Sequence, residues 1–221
     1  MKMIFSKVLL SLMFSIFLAF NHTTACAANK TPAGILVLGD SLSGAYGINI
    51  DEGWVALLQQ QITSEGYDYT VINASVSGDT TRTGLGRIDT ALKSHRPAIV
   101  ILALGGNDGL RGLAFSEIEN SLATIIERCK KNDIKVLLVG VRLPPNYGAA
   151  YNQKFAELYQ RLATRYDIPL VPRMLDHIAG HSELMQQDGI HPDTEAQPQV
   201  MKNVWSGLKM ILDKESPGKP R

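Results

Sequence analysis

From Ala33 to the last helix, short apolar runs alternate with amphipathic segments, and this alternation constrains the fold more than any other feature of the chain. Ile35-Leu36-Val37-Leu38 ends in Gly39 and reads as a buried strand. Trp54, Leu57, Leu58 and Ile62 mark one face of a helix closed by Gly66, and Thr70-Val71-Ile72 is a second strand. A polar loop, Ser75 to Thr83, leads to a helix expected from about Leu85 to Ser94. Ala98 to Leu104 is a strand rich in Ile and Val, Ser116 opens a helix that ends near Asn132, and Lys135 to Val141 is a fourth strand. Phe155, Leu158, Tyr159 and Leu162 mark a further helix. Ile168 to Val171 is a fifth strand, short and at an edge because Pro169 cannot donate to a ladder. Val200, Val204, Leu208 and Ile211 mark the last helix. Continuous apolar strands joined by helices imply a parallel sheet covered on both faces. The expected fold is α/β: three flavodoxin-like αβα layers, with a five-stranded parallel sheet in the order 2-1-3-4-5.

This topology says where to look for chemistry. Ligands in such sheets bind beyond the carboxyl ends of the strands, where the strand order reverses. The turns there are Gly39-Asp40-Ser41-Leu42 after the first strand, Ser75-Val76-Ser77-Gly78-Asp79 after the second and Gly105-Gly106-Asn107-Asp108 after the third. The formal net charge is +1 and no long basic run occurs, which argues against nucleic acid as a partner.

The first 28 residues are of another kind. Lys2 and Lys7 precede an apolar run from Val8 to Phe20, and Ala25-Cys26-Ala27-Ala28 follows a short polar stretch. This is the pattern of a secretory signal peptide over residues 1–28, with cleavage near Ala27 or Ala28, a domain over residues 29–221, and a periplasmic or secreted product. The apolar run is shorter than the roughly 20 residues needed to span a bilayer, so no stable membrane span is expected. A lipid-modified Cys26 is the alternative, but Thr23 stands where lipoprotein signals usually carry Leu. Cys129 falls on an apolar helical stripe with Ile118, Leu122 and Ile125 and reads as a buried thiol. The terminal residues from Ser216 to Arg221 read as a polar tail.

Three features at the strand ends carry chemistry. A serine hydroxyl needs a base to become a nucleophile, and Ser41 follows a strand and a tight turn where backbone N–H groups are free. A lone Gly-Asp-Ser is more often a helix or turn cap. Asn107 follows two glycines and can donate two hydrogen bonds to a developing oxyanion, with the N–H groups of Gly78 and Ser41 as further donors; it can also simply cap its loop. In Asp188-Gly189-Ile190-His191-Pro192 the spacing sets a carboxylate beside an imidazole, so that Asp188 holds the ring and His191 takes the Ser41 proton. A metal site built from Asp40, Asp79, Asp108, Asp188 and His191 is the competing arrangement, but no paired His or Cys cluster supports it.

Together, in the order Ser…Gly…Asn…Asp-x-x-His, these blocks resemble the SGNH family, the GDSL-type esterases and lipases. The likeness runs from about Gly34 to the last helix. Asn73 to Thr80, Leu104 to Gly112, Arg142 to Gly148 and Asp188 to Pro192 are similar to a subgroup of multifunctional periplasmic acyl-CoA thioesterases, arylesterases and lysophospholipases of Gram-negative bacteria. The resemblance implies an SGNH hydrolase fold, no cofactor and no metal. It also implies a small-molecule acyl ester or thioester substrate, hydrolysed through a Ser-His acyl-enzyme. One departure is Ser43-Gly44-Ala45, where the subgroup tends to have Ser-Ala-Gly.

An acyl chain needs an apolar groove beside the oxyanion site. Leu110 and Leu113 lie on a glycine-flanked loop, Gly109 to Gly112, that is expected to be free to close over it, a loop that in the subgroup shapes chain-length preference. Pro144, Tyr147 and Ile190 are further lining candidates. A carbohydrate O-acetyl esterase, or a non-catalytic lipid-binding domain on the same fold, stays open at this point. Nothing in the sequence demands an oligomer.

Overall fold

The computed structural model describes residues 32–215. The proposed signal segment and the polar tail lie outside the described residues. Five strands, β1 (Ala33–Gly39), β2 (Tyr69–Asn73), β3 (Ile99–Ala103), β4 (Lys135–Val139) and β5 (Leu170–Val171), form one sheet in the order β2-β1-β3-β4-β5. Every pairing is parallel. All carboxyl ends therefore meet at one edge, with β1 and β3 adjacent across the reversal of strand order.

Alternate residues of each strand enter opposite layers, as the period-2 geometry of a strand demands. Ile35, Val37, Ile99, Ile101, Leu137 and Val139 pack with helices α1 (Trp54–Ser64) and α6 (Gln197–Glu215). Leu36, Leu38, Val100, Leu102, Val136 and Leu138 pack with helices α2 (Thr81–His95), α4 (Phe115–Lys131) and α5 (Ala149–Tyr166). The central strands are apolar on both faces because both faces are covered. Cys129 lies fully buried in the second layer, and burial pushes its thiol up to about 12.

Two elements differ from expectation. Helix α2 begins at Thr81, well before Leu85, because Thr80 and Thr83 form a reciprocal capping box: each side chain bonds the other's backbone N–H. The segment after β3 is not an open loop but a short helix, α3 (Gly106–Leu110). Gly105 opens it with φ 118°, a left-handed value, and a Cβ there would lie 2.1 Å from the Tyr159 hydroxyl, so glycine is required twice over. Among the described residues no helix is long and apolar enough to cross a membrane.

Candidate active site

The turn after β1 is fixed by its carbonyls. Asp40 O accepts from Ser43 N and Gly44 N, and Ser41 O accepts from Tyr46 N. Leu42 O accepts from the Trp54 indole Nε1 at 3.0 Å and Ser43 O from Asn73 Nδ2 at 2.8 Å. Four successive carbonyls are thus held, while the Ser41 N–H has no acceptor among the described residues. Sequence reasoning placed Trp54 only on a core stripe; its polar edge is what secures the turn.

His191 meets this turn from the loop before α6. Its Nε2 lies 2.8 Å from Ser41 Oγ and its Nδ1 lies 2.7 Å from Asp188 Oδ2. The other Asp188 oxygen accepts from Ile190 N and His191 N at 2.9 and 3.0 Å. Desolvation pushes the Asp188 carboxyl up, but these hydrogen bonds and the nearby imidazole outweigh it and hold it at about 2. An ionised Asp188 accepts Nδ1–H and leaves Nε2 as the acceptor for Ser41 Oγ–H.

The loop after β2 is clamped from outside. Arg87, on α2, donates Nε to Asp79 Oδ2 at 2.7 Å, and its guanidinium also reaches the carbonyls of Ala74 and Gly39. One side chain therefore ties the loop that carries Gly78 to the end of β1. Gly78 has φ 85°, its N–H has no acceptor among the described residues, and its carbonyl accepts from Arg111 at 3.2 Å. Asn107, in the first turn of α3, donates Nδ2 to Asp79 O at 2.9 Å and stands 3.5 Å from Asp40 Oδ2, too long for a firm bond. One N–H of its amide is thus weakly engaged beside Ser41.

Asp40 itself is buried beneath the site, with Oδ1 accepting from Leu42 N at 3.1 Å. Burial raises its carboxyl to about 6, and the nearby Asp108 adds to the rise. Asp108 takes Thr81 N and Oγ1 at the start of α2. Asp79 is occupied by Arg87 and Asp188 by His191. The carboxylates considered above for a metal site thus face separate partners, and no group of three His, Cys, Asp or Glu among the described residues is placed to hold an ion.

A cavity of about 550 Å³ opens beside Ser41, Asn107 and His191. Leu110, Pro144 and Ile190 line it, as expected, together with Leu143, Leu175, Ala179 and Met185, which sequence reasoning missed. Leu113 and Tyr147 do not line it; they pack toward the α2, α4 and α5 layer. Nor is the segment before Gly112 free to swing. Tyr147 donates its hydroxyl to Leu110 O at 2.8 Å, Tyr151 to Gly109 O at 3.0 Å and Tyr159 to Leu104 O at 2.8 Å. Two tyrosines thus bond carbonyls at the end of the short helix and a third bonds the carbonyl just before it, which makes α3 a braced element.

The sequence matches the model of the GDSL-like lipase/acylhydrolase family over residues 37–197. It is 45% identical to esterase TesA of Pseudomonas aeruginosa over 202 residues, 91% of this chain and 99% of that protein. It is 40% identical to thioesterase 1/protease 1/lysophospholipase L1 of Escherichia coli K12 over 182 residues, 82% of this chain and 86% of that one. The fold superposes on the crystal structure of TesA with a TM-score of 0.79 at 46% identity, covering 80% of this chain and 99% of that one. On the psychrotrophic esterase EstA from Pseudoalteromonas sp., inhibited by monoethylphosphonate, the TM-score is 0.77 at 36% identity, covering 81% and 98%. With most of its length matched by the family model and its fold shared with these esterases, this chain belongs to the GDSL-like lipase/acylhydrolase family.

Proposed function

We propose that this protein is a serine esterase and thioesterase, acting on acyl esters and thioesters such as acyl-CoA, lysophospholipids and aryl esters. The observation that carries the assignment of roles is the continuous line Asp188–His191–Ser41, with bonds of 2.7 and 2.8 Å, at the mouth of an apolar cavity. Relatives named esterase, arylesterase and thioesterase/lysophospholipase support the reaction class.

In this reading Ser41 Oγ attacks the acyl carbonyl carbon as its proton passes to His191 Nε2. The carbonyl π electrons move onto oxygen, and the oxyanion faces the N–H groups of Ser41 and Gly78 and the weakly engaged N–H of Asn107. Collapse of this intermediate breaks the bond to the leaving alcohol or thiol, which takes the proton from His191. Water then attacks the acyl-Ser41 ester with His191 as base, and the fatty acid leaves as Ser41 regains its proton. Asp188 stays ionised and stabilises the imidazolium. The acyl chain lies in the cavity against Leu110, Leu143 and Ile190. Export by way of residues 1–28, with cleavage near Ala27 or Ala28, belongs to the same proposal and is tested by the mass of the protein recovered outside the cytoplasm.

The deciding experiment is labelling with an organophosphonate, followed by a substrate panel. Labelling at Ser41 and loss of at least roughly 10⁴-fold in kcat for Ser41→Ala are expected. A folded protein that neither labels nor hydrolyses any panel member would instead be a lipid binder. A preference for acetylated sugar over acyl-CoA and lysophospholipid would make it a carbohydrate O-acetyl esterase.

A further inference from the structure

Tyr46 lies against the imidazole of His191, with ring centroids 4.5 Å apart and planes at 35°. Half of its own surface faces solvent, and it belongs to neither packed layer. Packing the interior therefore does not explain its position.

The backbone around it is nevertheless built to hold it there. Ala45 has φ 56°, a left-handed value that a residue with a Cβ adopts only under constraint. Gly44, which would take that conformation freely, stands one residue early. Gly47 has φ 74°, and a Cβ there would lie 2.2 Å from Gln186 Oε1, so this glycine admits the Gln186 side chain. Gln186 Nε2 donates to Tyr46 O at 2.8 Å and to Pro192 O at 3.1 Å, and Gln186 N donates to His191 O at 2.8 Å. One residue thus ties the backbone of Tyr46 to the carbonyls of His191 and Pro192.

The imidazole has two in-plane partners, Asp188 at Nδ1 and Ser41 at Nε2. Both partners lie near the ring plane, so they restrain small rotations of the ring about its Cα–Cβ and Cβ–Cγ bonds only through the directionality of two hydrogen bonds. A contact on the ring face blocks those rotations.

We propose that Tyr46 is a positioning residue for His191: its ring, anchored through Gln186, keeps the imidazole from tilting away from Ser41. The proposal rests on the assignment of Ser41 and His191 given above. It assigns the tyrosine no contact with substrate and no use for its hydroxyl.

The test compares wild type with Tyr46→Ala, Tyr46→Phe and Gln186→Ala, produced from the full chain, on an aryl ester and an acyl-CoA. Tyr46→Ala is expected to lower kcat about 3- to 10-fold on both substrates, the range an aromatic contact supports, with KM unchanged. The rate of Ser41 phosphonylation falls by the same factor, and Tyr46→Phe restores both rates. Gln186→Ala, which frees the anchor and leaves the ring, lowers kcat by a smaller factor, and it alone carries the test if Tyr46→Ala does not fold. An unchanged kcat in Tyr46→Ala, or in Gln186→Ala where it stands alone, overturns the proposal. So does a raised KM at constant kcat, which marks a substrate contact, or a Phe variant as slow as the Ala one. Ser41→Ala and His191→Ala separate the two levels: if either keeps wild-type activity, the underlying assignment fails, and if both are inactive while Tyr46→Ala is normal, only the positioning role does.

Discussion

Asp40→Asn isolates the electrostatic cost of the turn that carries Ser41. Asp40 is 3% exposed and its carboxyl has one firm hydrogen bond, from Leu42 N, which an asparagine oxygen can still accept. Its pKa is raised by burial from 3.8 to about 6. The folded protein then holds this proton where the unfolded chain has released it. The stability contributed by the group is complete below the unfolded pKa and is lost as pH rises through the folded one. A shift of this size corresponds to an order of 3 kcal/mol in total, of which roughly 2 falls between pH 4 and 7.5. The amide does not ionise, so the variant escapes that loss. Urea denaturation at several pH values should show Asp40→Asn gaining stability relative to wild type by about 2 kcal/mol from pH 4 to 7.5. Titrating groups that do not interact with Asp40 are shared by the two proteins and cancel in the difference. A stability difference that does not change with pH would refute the reasoning, because Asp40 would then ionise alike in the folded and unfolded chain.

Trp54→Phe keeps a buried ring but leaves Leu42 O without its donor; urea denaturation should show a loss of about 1–3 kcal/mol, and kcat should fall with it. Arg87→Lys keeps the charge but cannot span Asp79, Ala74 and Gly39 at once, so kcat should fall while KM holds, as expected when an oxyanion donor is displaced. Asp188→Asn should lower kcat by about 10³- to 10⁴-fold without unfolding, since the amide favours the wrong imidazole tautomer. Leu110→Ala enlarges the cavity wall and should move the acyl chain-length optimum upward by a few carbons, and an unchanged chain-length profile would remove Leu110 from the groove.

Much of this was legible from residue order alone. The strands carry apolar residues on both faces, so their runs stand out, and the order of the sheet follows from the alternation with helices. Ser41, Asn107, Asp188 and His191 could be singled out because each sits where a strand ends or where spacing pairs it with a neighbour. What was hidden is long-range. The Trp54 indole on Leu42, the Arg87 clamp and the tyrosines that brace α3 join residues far apart in sequence, and no local pattern marks them. Leu143, Leu175 and Met185 were missed as cavity residues because an apolar side chain beside a site is indistinguishable, in one dimension, from one in the core. The start of α2 was missed because Thr80 and Thr83 cap each other, a variant of the usual Ser/Thr-to-Glu box.

The bond between Ser41 and His191 closes a loop of 150 residues, nearly the whole described chain. A contact of such sequence separation is among the last that a folding polypeptide can secure, since the ordering of everything between must come first. Recovery of hydrolysis after dilution from denaturant should therefore lag behind recovery of helical signal. A nascent or proteolytically shortened chain lacking the segment from Asp188 onward would carry the residues of all five strands but neither the catalytic His191 nor the helix α6 that covers one face of the sheet, and would have no activity.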